Sequence, residues 1–328
     1  MTFTRRTLAA WLLAAPLGRS LAQHAGSLPR IGVLSLSLAG SEAAQFEAMA
    51  LRQALRAAGL EEGRSLQIEW RYADTDVARL ATLADELVRL EVALILAVTN
   101  AALEAAMRAT RRIPIVVLAA VLPVELGMVR SLAQPGGNVT GTAWGSVEIA
   151  GKLLQVLRDA APRAARVAML VSSAEPGTAL YLAENRRAAQ AMGLTTEVID
   201  LAGQSSLAAA LPQVAASRPD ALVVGSQGQA GAQLVEIAAF AQRHRLPAIG
   251  MSPQFIQAGG AMYYGPNLAL MAGRTASFVA RILAGAAPGE LPMELPTNYN
   301  LVINRKALRA IGVTVPAALL QRVDNVIE

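Results

Sequence analysis

The stretch ALILAVTNAALEAAMRATRRIPIVVLA, residues 93–119, sets two short apolar runs on either side of one helix-like segment. Ala93–Thr99 and Ile113–Ala119 are almost continuously hydrophobic rather than alternating, the pattern of strands buried on both faces. Between them Thr99 and Asn100 stand where a helix needs a side-chain acceptor for its first free N–H groups, and a helix runs on through Met107. Continuous apolar strands joined by helices belong to a parallel sheet covered on both sides.

The same rhythm extends in both directions. Upstream, Ile31–Leu36 reads as the first strand. The helix Ala43–Ala58 follows, with Phe46, Met49, Ala50, Ala54 and Leu55 on one face and Gly59 as its stop. Leu66–Tyr72 reads as the second strand. Asp74 to Asp76 offer caps for a helix carrying Val77, Leu80, Leu83, Leu87 and Leu90. Downstream, Gln134-Pro135-Gly136-Gly137-Asn138 breaks the pattern with turn residues. The alternation then restarts with strands at Arg166–Val171, Thr195–Asp200, Ala221–Gly225 and Pro247–Met251. Two βα arrays divided by a turn-rich segment predict an α/β protein of two similar lobes. They share a rhythm but no sequence repeat.

The chain of 328 residues is long enough for two such cores. Its 54% hydrophobic and 16% charged residues exclude a disordered chain. Arg5, Arg6 and Arg19 supply three of the five excess positive charges, all within the first 22 residues. The remaining cations are scattered among acids, so no nucleic-acid partner is expected. The basic start, the apolar run Leu8–Leu17 and Ser20-Leu21-Ala22 predict a secretory signal over residues 1–22, and hence a periplasmic location. Arg5-Arg6 suits twin-arginine export as well as the general route.

Composition also limits the chemistry. With no cysteine and only His24 and His244, thiol catalysis, disulfides and Cys/His metal sites are excluded. His244 falls at the end of a helix-like stretch, where a cation suits the helix dipole. Gly225-Ser226-Gln227-Gly228-Gln229-Ala230-Gly231 follows a strand but lacks the dinucleotide spacing, and no GxSxG elbow occurs. No cofactor, no metal and no enzymatic activity are expected.

Several strings carry a family likeness. They include Arg30-Ile31-Gly32-Val33-Leu34-Ser35, Ile68-Glu69-Trp70-Arg71-Tyr72-Ala73 and Ile113-Pro114-Ile115-Val116. Further on come Ser131-Leu132-Ala133-Gln134-Pro135-Gly136-Gly137-Asn138-Val139-Thr140-Gly141 and Ala258-Gly259-Gly260-Ala261-Met262-Tyr263-Tyr264-Gly265-Pro266, and finally Leu301-Val302-Ile303-Asn304. In this order the chain resembles the ABC-transporter substrate-binding family of tryptophan/tyrosine type. The resemblance implies a type I periplasmic binding fold, with two Rossmann-like lobes, three hinge crossings and a ligand in the cleft. It places residues 30–140 with 266–296 in the first lobe and residues 141–265 with 297–328 in the second. The crossings would then lie near Gly141, Gly265-Pro266 and Pro296. It further implies a monomer that delivers a small molecule to an ABC permease; an orphan sensor signalling to a membrane receptor is the alternative. The chain departs from the family pattern at Leu122-Pro123, at Ser172-Ser173 and around Gly225-Ser226-Gln227.

Open parallel sheets bind ligands beyond the carboxyl ends of their strands. The candidate contacts are therefore Ser35, Ser37, Thr99, Asn100 and Ala120 in the first lobe. In the second they are Ser172, Ser173, Glu175, Ser226, Gln227 and Met251, with Trp144 just past the first crossing. Thr99 and Asn100 fit a helix cap as well, Ser172-Ser173 a plain turn, Trp144 hinge packing and Glu175 a solvated turn. Hydroxyls, amides, helix N-termini and one aromatic face suit a carboxylated or zwitterionic, partly apolar molecule.

Overall fold

The computed structural model describes residues 28–145, 148–202, 207–225 and 233–328. The expected signal segment, residues 1–22, and the candidates Ser226 and Gln227 lie outside the described residues. The chain begins with β1 (Arg30–Ser35), α1 (Glu42–Ala57), β2 (Gln67–Tyr72), α2 (Arg79–Arg89), β3 (Leu94–Ala97), α3 (Asn100–Ala109), β4 (Ile115–Val121) and β5 (Val139–Gly145). These strands form a parallel sheet in the order β2-β1-β3-β4-β5.

A second array follows with α4 (Glu148–Ala160), β6 (Arg166–Val171), α5 (Thr178–Ala191), β7 (Thr195–Asp200), α6 (Leu207–Ala216), β8 (Ala221–Val224), α7 (Leu234–Arg243), β9 (Ala248–Gly250), α8 (Gln254–Gln257) and β10 (Met262–Pro266). The chain ends with α9 (Leu268–Leu283), β11 (Tyr299–Asn304), α10 (Arg305–Ala310), α11 (Ala317–Leu320) and β12 (Asn325–Ile327). The second sheet runs β12-β11-β10-β9-β8-β6-β7. Its β7-β6-β8-β9-β10 portion repeats the strand order of the first sheet, so the shared rhythm of the sequence is a shared topology.

Two Rossmann-like lobes joined by three crossings result, the type I periplasmic binding architecture. In the first lobe, α2 and α3 cover one face of the sheet, and α1 and α9 cover the other. Helix α9 reaches that place by leaving the second sheet after Pro266; the Asn267 side chain accepts from the Leu270 N–H at its start. The segment 291–294 then runs along the outer edge of β5. Thr140 Oγ1 donates to the Leu291 carbonyl at 2.8 Å, and Glu294 N to the Gly141 carbonyl at 3.0 Å.

Three expectations need correction. The first crossing does not fall at Gly141, because β5 continues pairing with β4 through Gly145 in the first sheet. The Val-Thr-Gly-Thr-Ala-Trp-Gly run of that strand carries little strand signal, because it follows a turn cluster and has no long apolar core. Second, the second sheet is not wholly parallel: β11 runs antiparallel to β10. The chain leaves and re-enters that lobe at the same edge, so the returning strand starts where β10 ended.

Third, the buried stripe of α1 is Ala44, Ala48, Leu51 and Leu55, whereas Met49 is 60% exposed. Phe46 and Ala50 face the interlobe space instead. The expected helix end at His244 agrees with its place as the cap of α7, its ring 4.3 Å from that of Phe240.

Candidate functional site

The carboxyl ends of β1 and β3 meet at the point where the first sheet reverses its order, the position at which doubly wound sheets open a crevice. A cavity of about 450 Å³ occupies it. The first lobe lines it with Ser35 at the end of β1 and Ser37 beyond it, Phe46 and Glu47 on α1, Thr99 after β3, Leu118 and Ala119 on β4, and Trp144 on β5. The second lobe closes it with Leu234 and Val235 at the start of α7, and with Ser252, Gln254 and Gln257 around α8. Helix α9 adds Leu268 and Ala272.

Of the candidates read from the sequence, Ser35, Ser37, Thr99 and Trp144 stand on this wall. Thr99 also caps α3, its Oγ1 accepting from Ala102 N at 3.3 Å, while standing on the cavity wall. Trp144 is only 7% exposed, and its buried Nε1 has no hydrogen-bond partner among the described residues.

The remaining described candidates lie off the wall, for identifiable reasons. Asn100 is fully buried and turned aside. Its Nδ2 donates to the carbonyls of Val121 at 2.7 Å and Pro176 at 3.1 Å, and its Oδ1 accepts from Val121 N at 2.8 Å. The bond to Pro176 joins the two lobes. Ala120 sits in the first-lobe core; an irregularity in the β4–β5 pairing between Val117 and Ala120 presents Leu118 and Ala119 to the cleft instead. Ser172 and Ser173 form a turn: the Ser172 carbonyl accepts from Thr178 Oγ1 at 2.8 Å, and Ser173 N donates to Asp200 Oδ1 at 2.9 Å. Met251 packs in the second-lobe core, and its neighbour Ser252 reaches the cavity.

Glu175 is 6% exposed rather than a solvated turn residue, and neither carboxylate oxygen has a partner among the described residues. Burial pushes its pKa up to about 7.

The residue that sequence reasoning missed is Glu47. Its Oε2 accepts from Ser35 Oγ at 3.0 Å and from Ser37 Oγ at 3.1 Å, while its buried Oε1 has no partner among the described residues. Burial pushes this carboxyl up to about 7, against the smaller opposing effect of the two hydroxyls. Tyr72 on β2 is raised to about 12, by burial first and by the nearby charge of Glu47 second. A signal did exist: Glu47 lies three residues after Ala44 and four before Leu51, an acid beside the helix's buried stripe.

Raised carboxyl pKa values make a stability prediction. The contribution is fully present below the ordinary carboxylate pKa of 4.5 and is lost as the pH rises through about 7. The ligand-free protein should therefore melt at a lower temperature near pH 8 than near pH 5. Glu175→Gln should flatten that slope; an unchanged slope would show that Glu175 is solvated.

Among the described residues, no group of three or more acidic, histidine or cysteine side chains is placed to hold a metal ion. No helix among them is long and apolar enough to cross a membrane.

Two doubly wound lobes around a small, mostly apolar interlobe cavity define a solute-binding architecture. The family model described as ABC transporter substrate binding protein matches residues 41–327, and the chain belongs to that family. It is 24% identical over 267 residues to the tyrosine-binding protein of Clostridioides difficile strain R20291, covering 79% of this chain and 74% of that relative. A conserved domain protein from Vibrio cholerae shares the fold with a TM-score of 0.84 at 23% identity, covering 92% of this chain and all of that one. So does the ABC domain in complex with L-Trp from Streptococcus pneumoniae, with a TM-score of 0.83 at 22% identity and the same coverage.

Proposed function

We propose that the protein is a periplasmic solute receptor that captures a carboxylated or zwitterionic, partly apolar molecule of amino-acid size and hands it to an ABC importer. It carries out no covalent step. The observation that carries this reading is the cavity itself. Its volume lies within the ~300–1,000 Å³ common for ligand sites, and its wall combines Trp144, Phe46 and Leu118 with a few hydroxyls. Helices α1, α3 and α7 begin at its edge, and their free N–H groups favour a carboxylate. The tyrosine- and tryptophan-binding relatives support the same ligand class.

The test is a thermal-shift screen of the amino acids and their carboxylic-acid analogues, followed by calorimetric titration of L-tryptophan and L-tyrosine. A saturable stabilisation by one of these is expected; its absence across the screen would overturn the reading. Trp144→Ala should weaken the bound ligand by about 1–3 kcal/mol, the usual cost of removing an aromatic anchor. Unchanged affinity with a lower melting temperature would assign Trp144 to packing between β5 and its neighbours.

A further inference from the structure

Glu47 gives the cavity a chemical preference that its apolar walls lack. Among the described residues lining it, the ionisable side chains are Glu47 and the exposed Glu42; none is Lys, Arg or His. Two serine hydroxyls occupy Oε2 and orient the carboxyl group on the cavity wall, and the buried Oε1 has no partner among the described residues. A shielded carboxylate with no counter-charge is costly, so below about pH 7 the empty site keeps the acid neutral. A ligand ammonium provides the missing charge in a low-dielectric setting, where a close pair is strong.

We propose that Glu47 selects ligands bearing a protonated amine and releases its proton to solvent when such a ligand binds. This rests on the ligand class proposed above and narrows it. The proton leaves the Glu47 carboxyl, and the resulting carboxylate accepts from the ligand's N–H donors; the ligand stays protonated throughout.

The surrounding ionisable groups leave that role to the ligand. Tyr72 from β2 stays neutral, its pKa raised to about 12. Arg52, on the same helix, lies over the Trp70 ring and pairs with Glu62 at 2.6 Å. Between β2 and α2, Asp74 pairs with Arg79, and on α9 Arg274 pairs with Glu294 at 3.4 Å. From α7 the cavity receives only Leu234 and Val235. Below about pH 7 the ligand must displace the Glu47 proton, so affinity should fall about tenfold per pH unit. Above that it should be level until the amine itself titrates.

The experiment is calorimetric titration with L-tryptophan, with indole-3-propionic acid, which lacks the amine, and with tryptamine, which lacks the carboxylate. Each is run near pH 6 and near pH 8, in buffers of different ionisation enthalpy. L-Tryptophan should release close to one proton per site near pH 6 and far less near pH 8. Indole-3-propionic acid should release none, and near pH 8 it should bind at least about tenfold more weakly than L-tryptophan. In Glu47→Gln the two ligands should bind alike, with the pH slope gone; Glu47→Asp should recover part of both. Thermal unfolding of each variant shows that it is folded.

L-Tryptophan binding without proton release near pH 6, or no tighter than indole-3-propionic acid near pH 8, would overturn the role of Glu47 while leaving the ligand class standing. Binding of none of the three, when no amino acid or carboxylic-acid analogue stabilises the protein in the screen either, would overturn the ligand class, and this role with it.

Discussion

Gly141→Ala should destabilise the protein by at least about 4 kcal/mol, far beyond an ordinary glycine substitution. Gly141 adopts φ +137° at the point where β5 pairs with Val117 of β4. A β-carbon there would lie inside the contact distance of the Val117 carbonyl oxygen and 2.6 Å from its nitrogen. Those are backbone atoms of a central strand and cannot rotate away as a side chain would. The same residue's carbonyl holds Glu294, so displacing it also loosens the segment returning from α9.

Gly59→Ala is the control. It has a similar positive φ of +80° but nothing within 4 Å of the added carbon, so only the backbone cost of about 1–2 kcal/mol applies. Urea denaturation measures both. Equal losses would mean that β4 and β5 do not approach this closely.

Asn100→Ala should cost about 2–4 kcal/mol, because it strips partners from a part-buried N–H and two part-buried carbonyls at once. One of those carbonyls, of Pro176, belongs to the second lobe. The variant should therefore also shift the ligand-free protein toward wider separation of the lobes, seen as a larger radius of gyration by small-angle scattering. Asn100→Asp should be at least as damaging at neutral pH, since it opposes a carboxylate to carbonyl oxygens. A variant as stable and as compact as the parent would remove Asn100 from any part in holding the lobes together.

The candidates read from strand ends divide by what each chain end does locally. Ser35, Ser37 and Thr99 follow strands flanking the reversal of the first sheet, and there the rule that ligands sit beyond strand ends led straight to the cavity wall. The same rule overreached at Ser172 and Ser173, where hydrogen bonds to Thr178 and Asp200 consume the turn. It also overreached at Met251, one residue short of the cavity. For Asn100 the expected cap position was right in place but different in use: Thr99 caps, and Asn100 bridges. Glu47 is not legible from a single apolar stripe, because α1 has one side buried on the sheet and another half-buried along the cleft.

The sequence by itself determined the α/β class, the two βα arrays, most strand positions and the absence of thiol chemistry. These follow from local periodicity, turn residues and composition, which each segment carries alone. Tertiary structure decided what depends on distant segments meeting. It ran β11 against β10 because the chain re-enters a lobe at the edge it left. It turned Phe46 and Glu47 toward a cavity whose other wall lies nearly two hundred residues away, at Leu234 and Val235. It also left Glu47 half-buried on the cavity wall without a charge partner among the described residues, because desolvation is a property of the assembled lobes and of no single stretch of chain.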